Sequence, residues 1–178
     1  DTAEALLRPA LGHHLYGRDD EDLADAVARE LVARHWRIAI AESCTGGLIA
    51  KRLTDRPGAS AYFHAAVVAY ADAAKETILG VRRATLAAHG AVSEATAREM
   101  LYGVRRLTGT ETAIAVTGIA GPGGGSPEKP VGTVWIAAAA GTATDARLHR
   151  FGGDRTEIRE RAAQAALALL YELLHTRP

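Results

Sequence analysis

One cysteine, Cys44, stands among 178 residues, so the chain can close no internal disulfide and build no cysteine-cluster metal site. The histidines lack ligand spacing as well. His13 and His14 are adjacent rather than a helical turn apart, and no H-x-x-x-H occurs, which argues against zinc. Neither sign of charge is in excess, because 21 Lys+Arg balance 21 Asp+Glu. That excludes a basic domain or an acidic disordered chain, and it argues against nucleic acid as the main partner. No apolar run reaches the ~18–20 residues of a membrane span. The alanine stretches at 137–140 and 162–168 are too short or interrupted by polar residues. No secretory signal is visible, so the expectation is a cytoplasmic protein without a membrane partner. A Walker motif is missing, and ATP hydrolysis is not expected. The chain begins at Asp1 rather than Met, which fits excision from a longer protein.

What is present reads as one folded domain. Hydrophobic residues are 48% and charged residues 24% of the chain, ordinary values for a globular protein. Pro9, Gly12 and Gly17 predict an irregular segment over 1–18, and Asp19-Asp20 supply a helix start. Leu23, Val27 and Leu31 repeat every fourth residue and predict a helix over about 21–34. Strands are predicted at 37–41, 67–70, 112–116, 133–139 and 147–151. Between them lie helical stretches after Gly47, from Asp72 to Leu79, before Gly90, and from Ser93 to about Leu107. Asp154 and Glu157 have capping-box spacing and open the last helix. Alternating strands and helices predict a three-layer α/β/α fold with a mixed, mostly parallel sheet.

Several segments could carry chemistry. Ala41-Glu42-Ser43-Cys44-Thr45-Gly46-Gly47 sits between a strand and a helix, a junction that aims backbone N–H groups at one point. A hydroxyl there could act as nucleophile with the N–H groups holding an oxyanion. The same residues also fit a plain helix cap with glycines for close packing. Cys44 is an alternative nucleophile, although papain-like flanks are missing and a lone cysteine beside a strand is usually inert. Only three lysines occur, Lys51, Lys75 and Lys129, and arginine cannot serve as a base at neutral pH. A lysine base needs its pKa brought from ~10.4 toward ~7–8. Lys75 is a candidate for that role or a solvated helix residue. Ser126-Pro127-Glu128-Lys129 matches S-x-x-K, but Pro130 and the preceding glycines oppose the helix that this chemistry requires. The loop from Gly118 to Pro130 is neither a P-loop nor a dinucleotide fingerprint, yet it could present N–H groups to a phosphate or a ring. Arg155, near the start of the last helix, could bind a phosphate or carboxylate.

Seven segments occur in order: AESCTGG at 41–47, VVAYADAAK at 67–75, LGV at 79–81, HGAVSE at 89–94, VTGIAGP at 116–122, GGSPEKPVGTVW at 124–135 and FGGDR at 151–155. This set resembles the CinA C-terminal domain family, whose enzymatically active members are nicotinamide mononucleotide deamidases. The resemblance implies a connector over 1–18 from a possible N-terminal domain, followed by an amidohydrolase domain over 19–178. It implies hydrolysis of the ligand's carboxamide to nicotinate mononucleotide and ammonia, with no metal or organic cofactor. Ser43 takes the nucleophile's place and Lys75 the base's, with Tyr70 as a third catalytic residue through which the serine proton could pass to Lys75. Thr45, Gly46, Gly47, Thr117, Gly118, Gly121 and Gly124 become candidate ligand contacts, and Arg155 the phosphate's partner. The chain departs from the family at Ala71-Asp72-Ala73-Ala74, where many members carry Ser-Asn-Glu-Ala, and at Gly123, where Asp is common. The partners implied are a small nucleotide and, as a modal expectation for oligomers, a second copy in a homodimer. The competing reading is a non-catalytic nucleotide-binding or regulatory module of a competence- or damage-associated protein.

Overall fold

The computed structural model describes residues 2–12 and 15–176. His13 and His14, singled out above for their spacing, lie outside the described residues. The elements run α1 (Thr2–Leu11), α2 (Leu23–Arg34), β1 (Ile38–Glu42), α3 (Leu48–Thr54), β2 (Phe63–Val68), α4 (Asp72–Leu79), α5 (Arg83–His89), α6 (Glu94–Thr108), β3 (Thr112–Gly118), β4 (Thr133–Ala140), β5 (Ala143–Arg150) and α7 (Arg155–His175).

Five strands form one sheet in the order β2-β1-β3-β4-β5. β1 lies parallel to both β2 and β3, whereas β3–β4 and β4–β5 are antiparallel. The sheet is mixed, as expected, but parallel and antiparallel pairings are equal in number rather than mostly parallel. The reason is the connection after β3. It is a loop without a crossover helix, so β4 returns beside β3 in the opposite direction.

The two faces of the sheet are built from different residues. Ile38 and Ile40 of β1, Ile114 and Val116 of β3, and Val134 and Ile136 of β4 share one core with α2, α3 and α7. Ala39, Ala41, Ala113, Ala115, Ala137 and Ala139 share the other with Leu79 of α4 and Met100, Leu101 and Val104 of α6. Strict alternation in β1 and β3 thus gives each face one size of side chain. On the alanine side the helices are drawn together. A Cβ on Gly103 of α6 would collide with the Leu79 carbonyl, so only glycine lets α6 pass the end of α4 at this distance. α7 is held by the Asp154–Glu157 capping box, and Ser93 caps α6.

Some boundaries depart from the sequence pattern. Residues 2–11 are helical, with Pro9 inside the last turn. The Ala- and Leu-rich composition sustains the helix because a proline so close to the C-terminus removes one backbone hydrogen bond. Asp22, not Asp19 or Asp20, caps α2 and forms a box with Asp25. β2 begins at Phe63 and stops at Val68, leaving Tyr70 beyond the strand. As an edge strand it is half-buried on one face and exposed on the other, which blurs its apolar signal. β5 begins at Ala143, four residues before its expected start, because it pairs with β4 from Ala140 onward.

Candidate active site

The carboxyl ends of β1, β2 and β3 meet at one end of the sheet. Ser43 follows β1 directly. Its N–H donates to the Val116 carbonyl of β3 at 3.0 Å, while the Ala69 N–H after β2 donates to the Glu42 carbonyl at 2.8 Å. The topology therefore places Ser43 between the β2 and β3 ends, where ligands bind in open α/β sheets. Ser43 is 7% exposed, and its hydroxyl forms no hydrogen bond among the described residues.

Lys75, in the first half of α4, is 1% exposed. Its Nζ donates to the Tyr70 carbonyl at 3.0 Å and lies 3.5 Å from Asp72 Oδ1. No hydrogen bond joins Lys75 to Ser43. Tyr70 is exposed, and its hydroxyl accepts from Arg155 Nη2 at 2.8 Å. Arg155 Nη1 donates to the Gly121 carbonyl at 2.6 Å, so one guanidinium links the β2 end to the glycine-rich loop. Arg155 is the first residue of α7.

The structure also brings in two residues that the sequence reading passed over. Arg159, one turn after Arg155, donates from Nη2 to the Thr45 carbonyl at 2.7 Å. The i, i+4 spacing of the two arginines was the available signal. The second is Glu42, fully buried at the end of β1. Its carboxylate accepts from the N–H groups of Gly47, Ile49 and Ala50 at 2.9, 3.3 and 2.9 Å. The signal was an acid placed at the end of an apolar strand. This corrects the expectation that the first turn of α3 offers its donors to a ligand, because an internal carboxylate occupies them. The N–H groups of Cys44 and Thr45 donate to no other residue among the described ones.

The remaining candidates divide by contact. Thr45 is fully buried, and its hydroxyl has no partner among the described residues. Gly46 and Gly47 adopt φ values of +60° and +92°, which favour glycine in this turn. Thr117 is buried and donates to the Ala91 carbonyl at 2.8 Å, tying β3 to the segment before α6. Gly118 and Gly121 serve packing, since a Cβ there would press on Val134 and Val131 at 2.7 and 2.6 Å. Gly124 stands apart in the exposed loop, with Ile119 its nearest contact for an added Cβ. Cys44 is buried, and burial first, then the Glu42 carboxylate, pushes its thiol up to about 11. That leaves it protonated at neutral pH and unsuited to nucleophilic attack.

Lys75, Arg155 and Arg159 thus stand at the same end of the sheet as the serine and two spare N–H donors, with Asp72 beside Lys75. Such a set can hold an anionic ligand and stabilise a developing oxyanion. A cleft of about 590 Å³ lies elsewhere, lined by Tyr16, Arg29, Tyr171 and His175 among others, and contains no serine or lysine. Among the described residues no cluster of His, Cys, Asp and Glu could hold a metal ion, and no helix is long and apolar enough to cross a membrane.

Comparison with known proteins places this geometry in a family. The model of the CinA C-terminal domain matches residues 20–174. A CinA-like protein of Anaeromyxobacter dehalogenans is 51% identical over 159 residues, covering 89% of this chain and 39% of the relative. A putative competence-damage inducible protein of Symbiobacterium thermophilum is 50% identical, covering 96% of this chain and 42% of the relative. The chain therefore spans about two fifths of the length of the curated relatives it matches. Among solved structures, the competence damage-inducible protein A of Klebsiella pneumoniae aligns with a TM-score of 0.83 and 44% identity, covering 87% of this chain and 97% of that one. A CinA superfamily protein of Escherichia coli aligns with a TM-score of 0.82 and 32% identity, covering 93% and 98%. With its sheet, its strand-end serine and this extent of identity, the chain belongs to the CinA C-terminal domain family.

Proposed function

We propose that the domain hydrolyses the carboxamide of nicotinamide mononucleotide to nicotinate mononucleotide and ammonia, with Ser43 as nucleophile and Lys75 as base. The observation that carries this reading is the burial of Lys75, 1% exposed, at the same end of the sheet as Ser43. Lys51 is exposed and Lys129 half-buried, so Lys75 alone among the three lysines is withdrawn from water.

In this mechanism Ser43 Oγ attacks the amide carbon as its proton passes to Lys75 Nζ. The oxyanion is held by the Cys44 and Thr45 N–H groups. Collapse expels ammonia, which takes the proton from Lys75, and leaves an acyl-serine. Water then attacks the acyl carbon as Lys75 takes its proton, Lys75 returns that proton to Ser43 Oγ as the ester bond breaks, and the acid product loses its own proton to solvent. The step needs Lys75 as the free amine, and a pyridinium cation beside it disfavours a second positive charge. Arg155 grips the phosphate, with Tyr70 and Arg159 shaping the wall around it. The same reading has the enzyme working as a homodimer in the cytoplasm, without metal or organic cofactor.

One observation favours a second reading. Lys75 Nζ is bonded to the Tyr70 carbonyl and sits beside Asp72, not beside the serine hydroxyl. A domain resting in that arrangement binds a nucleotide without turning it over. Ammonia release from nicotinamide mononucleotide, compared between the native chain and Ser43→Ala, separates the two. Hydrolysis by the native chain and a loss of about a thousandfold or more in Ser43→Ala, with product binding intact, is the expected result. Tight binding without release by the native chain favours the nucleotide-binding module.

A further inference from the structure

Glu42 closes β1 at a position flanked by β2 and β3, and its side chain is fully buried. No lysine or arginine pairs with it among the described residues. A buried carboxylate without a cation is costly unless its oxygens are hydrogen-bonded. Here both oxygens are used. Oε2 accepts from the N–H groups of Gly47 and Ile49 at 2.9 and 3.3 Å, and Oε1 accepts from Ala50 at 2.9 Å. The side chain reaches past Ser43–Gly46 and grips the start of α3, whose positive end also favours the charge.

We propose that Glu42 is a positioning residue that fixes the reactive geometry of Ser43, a role that rests on the reading of Ser43 as nucleophile. One side chain tethers both ends of the Ser43–Gly46 loop. The near end is Glu42 itself, anchored to β2 through the Ala69 N–H, and the far end is the Gly47 N–H. Inside the loop the Gly46 N–H donates to the Ser43 carbonyl at 3.0 Å, and two left-handed glycines complete the turn. Closing the loop in this way sets where Ser43 Oγ projects. It also saturates the donors of α3 and leaves the Cys44 and Thr45 N–H groups as the loop's spare donors. Glutamine cannot replace this clamp. It has one acceptor oxygen, and its NH2 group would meet an N–H donor of the helix, donor against donor. Aspartate keeps two acceptors on a stem one methylene shorter.

The test compares the full chain with Glu42→Gln and Glu42→Asp by three readouts: amide hydrogen exchange at Gly47, Ile49 and Ala50; kinetics with nicotinamide mononucleotide across pH; and labelling of Ser43 by a fluorophosphonate, which needs a reactive serine but no nucleotide site. In Glu42→Gln the three amides lose protection while β4 and β5 keep theirs. There kcat falls about a hundredfold and labelling slows in proportion. KM and product affinity stay within about threefold, and the limbs of the pH profile do not move. Glu42→Asp regains part of both rates. Native kcat and labelling in Glu42→Gln overturn the proposal, as does a loss confined to KM. Disappearance of the acidic limb also overturns it, because Glu42 would then carry a proton. If the native chain labels at Ser43 but releases no ammonia, the functional reading fails and the labelling comparison still decides the role of Glu42. A native chain that does neither has no reactive serine to position, and the proposal falls. Should Glu42→Gln fail to fold, Glu42→Asp carries the same comparisons.

Discussion

Two serine–lysine pairs stand in this molecule, and they differ in almost every respect. Ser126 and Lys129 are neighbours in the chain. Ser126 Oγ donates to Glu128 at 2.8 Å and accepts from the Lys129 N–H at 3.1 Å, and Lys129 Nζ donates to the His89 carbonyl at 2.8 Å. The turn that holds them is largely exposed, and the residues are not helical. Ser43 and Lys75 come from different strand ends, share no hydrogen bond, and are 7% and 1% exposed. The first pair fits a known sequence pattern and lacks a site. The second fits no short pattern and lies at the sheet end where Arg155 bonds Tyr70 and Arg159 bonds Thr45. Exclusion from water separates them: the second pair is withdrawn from solvent and the first is not.

The largest effect within this comparison belongs to Lys75→Met, which keeps the stem and removes the amine. Ammonia release should fall about a hundredfold to ten-thousandfold. The melting temperature should hold or rise, because a buried charge site is replaced by an apolar group of similar volume. A variant that keeps activity would break the comparison at its centre. A smaller effect is expected for Arg155→Ala, which removes the link between the Tyr70 hydroxyl and the Gly121 carbonyl. Its KM for nicotinamide mononucleotide should rise about tenfold to a hundredfold, with kcat changing less, as for a group that binds ground state and transition state alike. Steady-state kinetics at fixed pH reads both numbers. A fall confined to kcat would move Arg155 from binding the phosphate to shaping the reacting centre.

Periodicity found the helices and the alternating strands because burial acts on every residue of an element. The Ile/Ala alternation of β1 and the capping box at Asp154 were readable for that reason. β2 was misplaced because an edge strand is half covered and its pattern is weak. α1 was missed because breakers outweighed composition in a short segment. At the site, the family resemblance gave the residue types, but contacts decided their parts. Glu42 read as the end of a strand, and only the fold shows its carboxylate across the turn from Gly47 and Ala50. Gly118 and Gly121 read as ligand contacts, and the fold gives them packing reasons first. Arg159 needed α7 to be docked before its guanidinium could meet Thr45.

The smallest expected effect is the one that tests the comparison from its other side. A double variant, Ser126→Ala with Lys129→Ala, removes every side-chain hydrogen bond of the exposed pair. If proximity in sequence made a catalytic pair, this variant would lose activity as Lys75→Met does. The turn, however, keeps its backbone bond from the Ser126 N–H to the Lys129 carbonyl at 2.9 Å, and the loop stays anchored by the Gly132 N–H on the Ile119 carbonyl at 2.7 Å. Exposed polar contacts of this kind contribute about 0–1 kcal/mol. Ammonia release should therefore stay within about twofold, since only substitutions that touch the transition state lower kcat strongly. The melting temperature should shift by a few degrees at most, as about 1 kcal/mol implies for a domain of this size. A tenfold loss of kcat at unchanged melting temperature would mean that the glycine-rich loop closes over the ligand with Lys129 at its tip, and the exposed pair would then belong to the site.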